Sequence, residues 1–584
     1  MHSLSTAGPP QNLSHPFEKL FSRALDAPPD FVQRCWTALK EQVWHSSSSI
    51  AFSEEDILTY NTHAHPLQLS YRHIYPPVKI CTTKECPHRV KSKPLVEPLT
   101  HPATLFTLRE GALPVFTTSL YCRGCNIRYY HNYSVHKASE TRTYYGGVPD
   151  IIHVTRHYLF ETALLEHFAT SKVFAWVSSL NCARIYNSSM ASLHAHILNN
   201  ELAHADTIHL YERPPSSWPT SMDIRGEYVL DGFFLYSLLL DKAEHGAPLV
   251  LKHDEANKDR LKKAIHDRNK QTEGTGQEFY PHACDDCFMI LEDENVKIHP
   301  AVCDGITLGH PCCAIHNCKD PLPGHRGRFC VEHAKLFDKL CAVLDCEAEH
   351  RHNRRTCPDV DHAALEDQHI QRGKAMFQLR AKLKRANISV PLDSAPDDGA
   401  TVVHDQEDEI EVEVQSTVSK KKLKAIFGRR RTHNEQLIMR PCGIIISRAT
   451  FYGAEAITDV NTFAKATFPT PQSTPEFFIF DNNCQLHYWQ KANHETHFEN
   501  TGQPVDVFHF KSKHKESDTH CQTYCNPAAF PELIDGDKWR VNTSICEQSN
   551  VWLGGYQAIL RDMEGTRFNF YLDEMIKRRN STHV

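Results

Sequence analysis

The sequence lacks the excess of positive charge that would coat a whole protein for nucleic-acid binding. Its 584 residues include 64 Lys and Arg against 71 Asp and Glu, so the formal net charge is −7 at pH 7. This balance excludes a uniformly basic surface. Any contact with DNA would have to come from local basic patches.

Long hydrophobic runs are also missing. The first 17 residues contain Pro9 and Pro10 but no apolar stretch, which predicts that there is no signal peptide. The run Phe233–Leu240 is eight residues long, whereas a membrane-spanning helix needs about 20. No repeat of fixed period is found either. We therefore expect a soluble, reduced, intracellular protein with no membrane partner. The length of the chain by itself predicts about three or four domains.

Cysteine and histidine, by contrast, are abundant. The chain has 21 Cys and 39 His, and many of them occur in pairs at short spacings. In a chain of this size such pairs favour metal sites over a framework of disulfides.

Periodicity predicts an α+β multidomain fold. Residues 15–60 and 155–265 have helical patterns. The β-rich runs Val115–Tyr121 and Ile127–Tyr133 flank Cys122-Arg-Gly-Cys125, which predicts a zinc-stabilised β-hairpin module. Near the C-terminus, Gly443–Ile446 and Phe477–Phe480 are candidate buried strands, and residues 550–577 have an amphipathic helix pattern.

A charged stretch lies between these regions. Residues 369–386 have the pattern of a basic helix, and Pro391–Gly399 is polar and rich in turn formers. Asp405–Glu413 holds six acidic residues in nine, and Lys420–Arg431 holds seven basic residues in twelve. Blocks of like charge are usually solvated, so we expect a disordered linker here.

The first candidate zinc site has four cysteines in two pairs. They are Cys81, Cys86, Cys122 and Cys125. Each short spacing lets a tight turn direct two thiolates at one ion, and four thiolates complete a tetrahedral zinc site. The alternative is four unrelated buried cysteines.

A denser set of ligands lies between residues 313 and 362. It has eight members in four pairs: Cys313, Cys318, Cys330, His333, Cys341, Cys346, Cys357 and His362. Eight ligands could close two zinc sites, and zinc would supply folding free energy that so small a core cannot. Spacing alone leaves open which pairs share an ion.

For two further Cys/His groups, the sequence does not decide whether they bind zinc. His282, Cys284 and Cys287 form a half-site near the spare thiols of Cys303 and Cys312. Near the C-terminus, His509 and His514 precede Cys521 and Cys525. Each group either binds zinc or belongs to an ordinary buried or His-rich polar segment.

Three carboxylates occupy positions that suit a metal-dependent reaction. Asp481 directly follows an apolar strand, Glu547 falls in the first turn of a helix pattern, and Asp304 lies in a strand that is expected to turn at Gly305 into a second one. Two Asp and one Glu could hold two Mg²⁺ about 3.5–4 Å apart. Asp506 is a rival carboxylate for this site, and a strand-end Asp is more often a turn or cap residue.

The chain resembles the fungal cysteine-cluster proteins associated with KDZ (Kyakuja, Dileera, Zisupton) transposases. Residues from about 75 to 190 resemble the CxC-five type through Tyr121-Cys-Arg-Gly-Cys125, Tyr129-Tyr-His-Asn-Tyr133, Tyr144-Tyr145 and Ala183-Arg-Ile-Tyr-Asn187. Residues from about 300 to 365 resemble the CxC-six type through Asp304-Gly-Ile-Thr-Leu-Gly309, Cys312-Cys313, Arg328-Phe-Cys330 and His333. The C-terminal part resembles the KDZ catalytic region through Phe480-Asp-Asn-Asn-Cys484, His509-Phe-Lys-Ser-Lys-His514, Cys546-Glu-Gln548 and Arg567-Phe-Asn-Phe-Tyr571.

The resemblance implies an RNase H-like mixed sheet with an inserted zinc module. It matches Asp481 to the second and Glu547 to the third acidic residue of a catalytic DDE triad, with Mg²⁺ or Mn²⁺ as cofactor beside structural zinc. We take Asp304 as the first, because it lies on the first predicted strand before the insertion. The sequence departs from the usual form before Glu547, where Ile545-Cys546 replaces a Gly-Glu pair. The expected domains are 1–70 (N-terminal helical region), 71–190 (CxC-five-like zinc cluster), 191–280 (helical region), 281–310 (first strands of the RNase H-like domain), 311–366 (CxC-six-like insertion), 367–440 (basic helix and charged disordered linker) and 441–584 (remainder of the catalytic domain).

Three functions fit this sequence. The first is a DDE transposase that cuts and joins DNA ends, and the second is a transposon-derived protein that binds zinc and DNA without cleaving it. The third is a zinc scaffold that contacts other proteins. The expected partner is DNA, bound at transposon ends or target sites through basic residues of 369–386 and 420–431. Lys420–Lys424 and Arg429–Arg431 also suit nuclear import, with cytoplasmic localisation and homo-oligomers left open.

Overall fold

The computed structural model describes residues 9, 11–13, 15–45, 59–64, 72–109, 111–199, 218–291, 296–324, 327–371, 409–415, 420–428 and 430–583. The chain divides into two compact units, Met1–Ala264 and Ile265–Val584. Each unit combines helices with β-sheet, so the predicted α+β character is confirmed.

Unit 1 begins with a helical pair, α1 (His15–Ala24) and α2 (Pro29–His45). Val32 and Trp36 of α2 are buried against Leu13. The predicted helical region reached residue 60, but α2 ends at His45, and a short π-helix covers Tyr60–Ala64. Residues 46–58 lie outside the described part of the chain.

The centre of unit 1 is a curled nine-stranded sheet. Its strands are β1 (Arg72–Ile74), β2 (Val96–Phe106), β3 (Ala112–Cys122), β4 (Ile127–Tyr129), β5 (Tyr133–His136), β6 (Thr141–Tyr144), β7 (Ile151–Thr155), β8 (Tyr158–Glu161) and β9 (Val250–Lys252). Their order is β7-β8-β2-β3-β4-β5-β6-β9, and β1 pairs in parallel with β3. The predicted hairpin is β3–β4, in which Cys122 pairs with Ile127, but its second strand ends at Tyr129.

Five helices complete this unit among the described residues. They are α3 (Pro87–Val90), α4 (Thr162–Ala175), α5 (Ser179–Asn199), α6 (Gly226–Glu244) and α7 (Asn257–Arg260). The predicted helix from residue 155 begins only at Thr162, because Tyr158, Leu159 and Phe160 pair with β2 as a strand. No helix in the described part of the chain is long and apolar enough to span a membrane.

Unit 2 is built around a four-stranded sheet. The unit also contains several two-stranded pairs. In chain order its described strands are β10 (Met289–Leu291), β11 (Val296–Ile298), β12 (Ala301–Ile306), β13 (Pro311–Cys312), β14 (Glu409–Gln415), β15 (Lys420–Ile426), β16 (Arg430–Arg431), β17 (Asn434–Met439), β18 (Ile445–Phe451), β19 (Phe478–Phe480), β20 (Ile534–Asp535) and β21 (Lys538–Trp539). The central order is β18-β17-β12-β19, with β12 antiparallel to β17 and parallel to β19. The buried strands predicted at Gly443–Ile446 and Phe477–Phe480 correspond to β18 and β19.

The expected turn at Gly305 is wrong, because β12 continues through this residue to Ile306. A Cβ at Gly305 would run into the ends of the Asn434 and Gln436 side chains on the paired strand, which are buried and hydrogen-bonded to each other. Glycine here leaves room for these side chains and does not form a turn.

The helices of unit 2 surround this sheet. They are α8 (Lys262–Thr272, which begins before the unit boundary), α9 (Val331–Phe337), α10 (Ile457–Thr467), α11 (Asn483–Ala492), α12 (Val507–Lys513), α13 (Thr519–Tyr524), α14 (Ile545–Gly554), α15 (Gln557–Leu560) and α16 (Gly565–His583). The single helix predicted over 550–577 is thus three helices, interrupted at Gly554-Gly555 and before Gly565. Glycine is a weak helix former, which accounts for the first break. The second break spans residues 561–564, which contain no glycine.

The expected disordered linker is partly wrong. Strands β14 and β15 pair antiparallel, with Glu411 opposite Lys424. The acidic segment alternates with Ile and Val, and the basic one contains Leu423, Ala425, Ile426 and Phe427, so the charge count hid a β pattern. Residues 360–371 are helical, whereas the rest of the predicted basic helix and Pro391–Gly399 lie outside the described residues.

Candidate functional site

Five groups of Cys and His side chains come together in the described part of the chain. Within each group the donor atoms lie within 4.8 Å of one another, and the groups are Cys81/Cys86/Cys122/Cys125, His282/Cys284/Cys287/Cys442, Cys313/Cys318/Cys330/His333, Cys341/Cys346/Cys357/His362 and Cys484/His514/Cys521. All 21 cysteines are free of disulfides. Thiolate and imidazole are the ligands that zinc prefers, so these clusters fit structural zinc.

The group in unit 1 joins a loop to the β3–β4 hairpin. Cys86 caps the N-terminus of α3, and Cys122 ends β3. The Cys81 and Cys125 sulfurs lie 3.3 Å apart, and those of Cys86 and Cys122 lie 3.6 Å apart. A Cβ at Gly124 would lie 2.9 Å from the Cys86 sulfur, so the turn needs a glycine to bring the thiols together.

The eight ligands of the insertion pair in sequence order. In the first half, His333 Nδ1 lies 3.4 Å from the Cys313 sulfur and 3.3 Å from that of Cys330. In the second half, His362 Nδ1 lies 3.6 Å from the Cys341 sulfur and 3.2 Å from that of Cys357. The structure therefore resolves a pairing that spacing left open: two successive Cys₃His groups that are not interleaved.

The end of strand β15 and Phe427, the residue that follows it, pack on both halves of the insertion. Ala425 and Phe427 are buried with Cys341 and Cys357, and Ile426 is buried with Cys313 and Cys330. The last part of the basic segment is thus a wall of the zinc-ligand clusters.

The C-terminal Cys/His group differs from the predicted one. Cys484, His514 and Cys521 converge, with His514 Nδ1 lying 3.6 Å and 3.3 Å from the two sulfurs. Cys525 is buried beside the two cysteines. The Nε2–H of His514 donates to the Asp481 carbonyl at 3.0 Å, which leaves Nδ1 as the free lone pair directed at the thiols. His509 is not part of this group.

Strand pairing brings Asp304 and Asp481 next to each other. Cys303 on β12 pairs with Phe480 on β19, and the two strands are parallel, so Asp304 and Asp481 follow at adjacent positions. Helix α14 carries Glu547 in its first turn and lies against β12, where the Cys546 thiol donates to the Val302 carbonyl at 3.2 Å.

The electrostatics of this edge are those of crowded carboxylates. Burial raises the pKa of Asp304 to about 8, with the charges of Asp481, Glu547 and Glu455 adding to the effect. Burial and Asp481 also raise the pKa of Glu455. Asp481 Oδ1 is buried without a hydrogen-bond partner in the described structure. Repelling carboxylates with an unfilled oxygen suit a divalent cation.

Polar side chains hold each carboxylate. Asn550 Nδ2 donates to Asp304 at 2.9 Å, and Lys513 Nζ lies 3.6 Å from Asp481 Oδ2. His509 Nε2 lies 3.1 Å from the Glu547 carboxylate. No three carboxylate oxygens in the described residues lie mutually within 4.8 Å. The carboxylates thus share one edge of the sheet, but they are further apart than the ligands of a single metal ion.

Asp506, the rival carboxylate, supports this arrangement from behind. Its Oδ2 lies 3.1 Å from His509 Nδ1, and its Oδ1 accepts bonds from the Thr543 and Ser544 hydroxyls at 2.7 Å. Asp506, His509 and Glu547 are thus linked by successive polar contacts. Asp506 caps α12 and orients the histidine that contacts Glu547.

Unit 1 carries a separate cavity of about 650 Å³. Arginines, histidines and tyrosines dominate its lining: Arg142, Arg156, Arg260, His101, His131, His153, His253, Tyr130 and Tyr133, with the carboxylates of Asp231 and Asp254. The Arg142 guanidinium lies 4.5 Å from the centre of the Tyr133 ring. Burial lowers the pKa of His153 to about 4, and Arg142 adds to the effect, so the positive charge here is carried by arginine.

Family comparison matches two segments of the chain. Residues 69–190 match the CxC5 like cysteine cluster associated with KDZ transposases, and residues 302–368 match the corresponding CxC6 like cluster. The resemblance of these two regions is thereby confirmed, and it indicates a transposase-related protein. No curated protein and no solved structure matches the chain.

Several residues of these sites were not predicted. Cys442 and Glu455 are isolated in the sequence, and only the fold brings them to their partners. Asn550 had one available signal, since it lies three positions after Glu547 and so shares its helix face.

Proposed function

We propose that this chain is a KDZ-transposase-like, DNA-binding protein that cleaves and transfers DNA strands, with Asp304, Asp481 and Glu547 as its DDE residues. The carrying observation is that β12 and β19 pair in parallel, so that Asp304 and Asp481 lie side by side while α14 brings Glu547 to the same edge. Catalysis by Mg²⁺ or Mn²⁺ and an RNase H-like fold are parts of this proposal.

The topology of unit 2 supports the RNase H-like assignment. Three antiparallel strands in the order β18-β17-β12 are extended by β19, which is parallel to β12. Helix α10 separates β18 from β19 in the chain. This arrangement has the first carboxylate on its first strand, the second after the parallel strand and the third on a following helix.

The carboxylate edge would provide the chemistry of strand cleavage. Divalent cations held by Asp304, Asp481 and Glu547 would activate the attacking water or 3′-OH and stabilise the leaving oxygen. The residues of the chain hold the ligands ready: Asn550 fixes the Asp304 carboxylate, and the Asp506–His509 pair orients Glu547. The Asp481 carbonyl is held by His514, whose other ring nitrogen faces two thiols.

Because the net charge of the chain is negative, we propose that DNA is contacted only by two local basic patches. One is the arginine-lined cavity of unit 1, and the other is the basic segment from which Lys424 is exposed. Arg156 is exposed at the cavity. Arg156→Gln should weaken DNA binding and reduce its salt dependence by about one phosphate contact. We include nuclear localisation in the proposal, with cytoplasmic localisation and homo-oligomers left open.

The test is metal-dependent nicking of DNA. Purified protein is incubated with Mg²⁺ or Mn²⁺ and a labelled duplex that carries the DNA ends flanking its own gene. Asp481→Asn and Asp535→Asn run beside the wild type after all three have been shown to contain equal zinc. Asp535 is an exposed aspartate outside the site. Nicking by the wild type and Asp535→Asn but not Asp481→Asn supports the proposal.

A second candidate is a transposon-derived protein that binds zinc and DNA but no longer cleaves. The open carboxylate arrangement and the Ile545-Cys546 sequence before Glu547 favour it. Bound DNA without nicking by any of the three proteins would select this alternative. Absence of salt-sensitive DNA binding would leave the zinc-scaffold function instead.

A further inference from the structure

We propose that His282, Cys284, Cys287 and Cys442 bind a structural zinc ion that fastens the segment preceding the central sheet to the β17–β18 turn. The four donor atoms lie within 4.8 Å of one another. The site lies outside both segments that match cysteine-cluster families. It does not depend on the proposed strand cleavage.

The first half of the site is a Cys-x2-Cys turn. The Cys287 and Phe288 amides both donate to the Cys284 carbonyl, at 3.0 and 2.8 Å. The Cys284 amide also points at the Cys287 sulfur, 3.2 Å away. The two sulfurs lie 3.6 Å apart, well beyond the roughly 2.05 Å of a disulfide. The turn therefore presents two thiols side by side without joining them.

The second half comes from a distant part of the chain. Cys442 lies in the tight turn between β17 and β18, which is closed by the Gly443 amide donating to the Arg440 carbonyl at 2.9 Å. Gly443 has a φ of +100°, a conformation that side-chain-bearing residues rarely adopt. This turn brings the Cys442 sulfur to 3.4 Å from His282 Nε2.

These separations suit a tetrahedral zinc ion. With Zn–S bonds of about 2.3 Å and Zn–N bonds of about 2.0–2.1 Å, neighbouring ligand atoms of a tetrahedron are roughly 3.4–3.8 Å apart. The sulfur–sulfur distance of 3.6 Å and the sulfur–nitrogen distance of 3.4 Å fall in that range. Three thiolates and one imidazole form a closed structural donor set with no open position.

The surroundings balance the charge of such a site. Zinc with three thiolates and one histidine carries a net charge of −1. The Arg440 guanidinium is buried close to the Cys287 and Cys442 thiols. Its Nη1 donates to the Pro300 carbonyl at 3.2 Å, and its Nε has no hydrogen-bond partner in the described structure. One buried cation thus faces one excess negative charge.

The position explains what the zinc would do. Met439 pairs with Val302 near the start of β12, so the turn that carries Cys442 lies at this end of the sheet. Asp304 lies further along the same strand. A zinc ion here would tie two distant segments at the end of the sheet away from the carboxylates, as a structural element.

The test compares zinc content in full-length variants. Cys442→Ser should contain one zinc ion fewer per chain than the wild type, whereas Cys442→His should restore it, since histidine is also a zinc ligand. Cys35→Ser is the matched control, because Cys35 is a cysteine of α2 outside every cluster. Replacement of zinc by Co²⁺ should show reduced thiolate–cobalt absorption only in Cys442→Ser. Equal zinc in folded Cys442→Ser and wild type would overturn the proposal.

A measurement on the wild type covers the case in which Cys442→Ser does not fold. Cys284, Cys442 and Cys35 are all half-buried. With zinc bound, iodoacetamide should label Cys35 while Cys284 and Cys442 stay protected until a chelator is added. Labelling of all three at similar rates before chelation, or a Cys284–Cys287 disulfide in the mass spectrum, would disprove the site.

Discussion

Asp304 is a carboxyl whose protonation is coupled to folding. Its pKa rises from 3.8 to about 8 because burial and three neighbouring carboxylates disfavour its charge. The folded state therefore holds a proton that the unfolded chain releases at lower pH. Stability is retained below the unfolded pKa and falls as pH rises toward the folded value.

The consequence is a pH-dependent difference between two proteins. In buffer without Mg²⁺, the melting temperature of the wild type should fall relative to that of Asp304→Asn as pH rises from about 6 to about 8. Thermal melts of both proteins across this range measure the difference, and the zinc-dependent part of the melting curve is common to both. Parallel curves would show that Asp304 has an ordinary pKa. Added Mg²⁺ should restore the wild type at the upper pH and leave the variant unchanged.

At the scale of elements, the end of β15 and the Phe427 that follows it are structural parts of the Cys/His insertion. Phe427 is 3% exposed and packs with Cys341, Cys357 and Ala425. A short domain built around Cys/His clusters has little other core to compensate for a lost aromatic side chain.

Phe427→Ala should therefore loosen the insertion. The expected cost is about 3–5 kcal/mol, as for other buried Phe→Ala changes. Zinc should pass to a colorimetric chelator faster than in the wild type, and limited proteolysis should cut within residues 313–428. Lys424→Gln, at an exposed position of the adjoining strand β15, is the control and should behave as the wild type does. Unchanged zinc release in Phe427→Ala would mean that Phe427 does not stabilise the insertion.

The same elements show what sequence could and could not predict. Cysteine pairs with short spacings were found because one turn fixes both ligands, as at Cys122 and Cys125. Apolar strands such as β19 were found by composition. The β14–β15 hairpin was not predicted because its many charged residues concealed the alternating apolar residues. Cys442 was not predicted as a ligand because only the turn between β17 and β18 brings it to its three partners.

At the scale of the whole molecule, the chain consists of two compact units. The curled sheet and one Cys₄ group belong to unit 1, and the carboxylate edge and the other four Cys/His groups belong to unit 2. Each unit has its own sheet and its own buried core. The members of each Cys/His group all come from the same unit.

The two units should therefore fold when produced separately. A cut between Leu261 and Lys262 leaves α8 intact at the start of the second fragment. Circular dichroism should show folded structure in both fragments. Metal analysis should assign thiol-bound zinc to both, with the larger share in the second. Loss of zinc from either fragment, while the intact chain keeps it, would show that the units stabilise each other.

The narrow base of the insertion has a consequence for how such proteins diversify. Strands β13 and β16 pair through only two residues each, and the Thr432 amide donates to the His310 carbonyl at 3.0 Å directly beneath them. In strand connectivity, the insertion between β13 and β16 therefore takes the place of a hairpin loop. An ancestral gene could acquire, enlarge or exchange this module by recombination without shifting the strand register that holds Asp304. Changes of length within the insertion can thus leave the pairing of β12 with β17 unaltered.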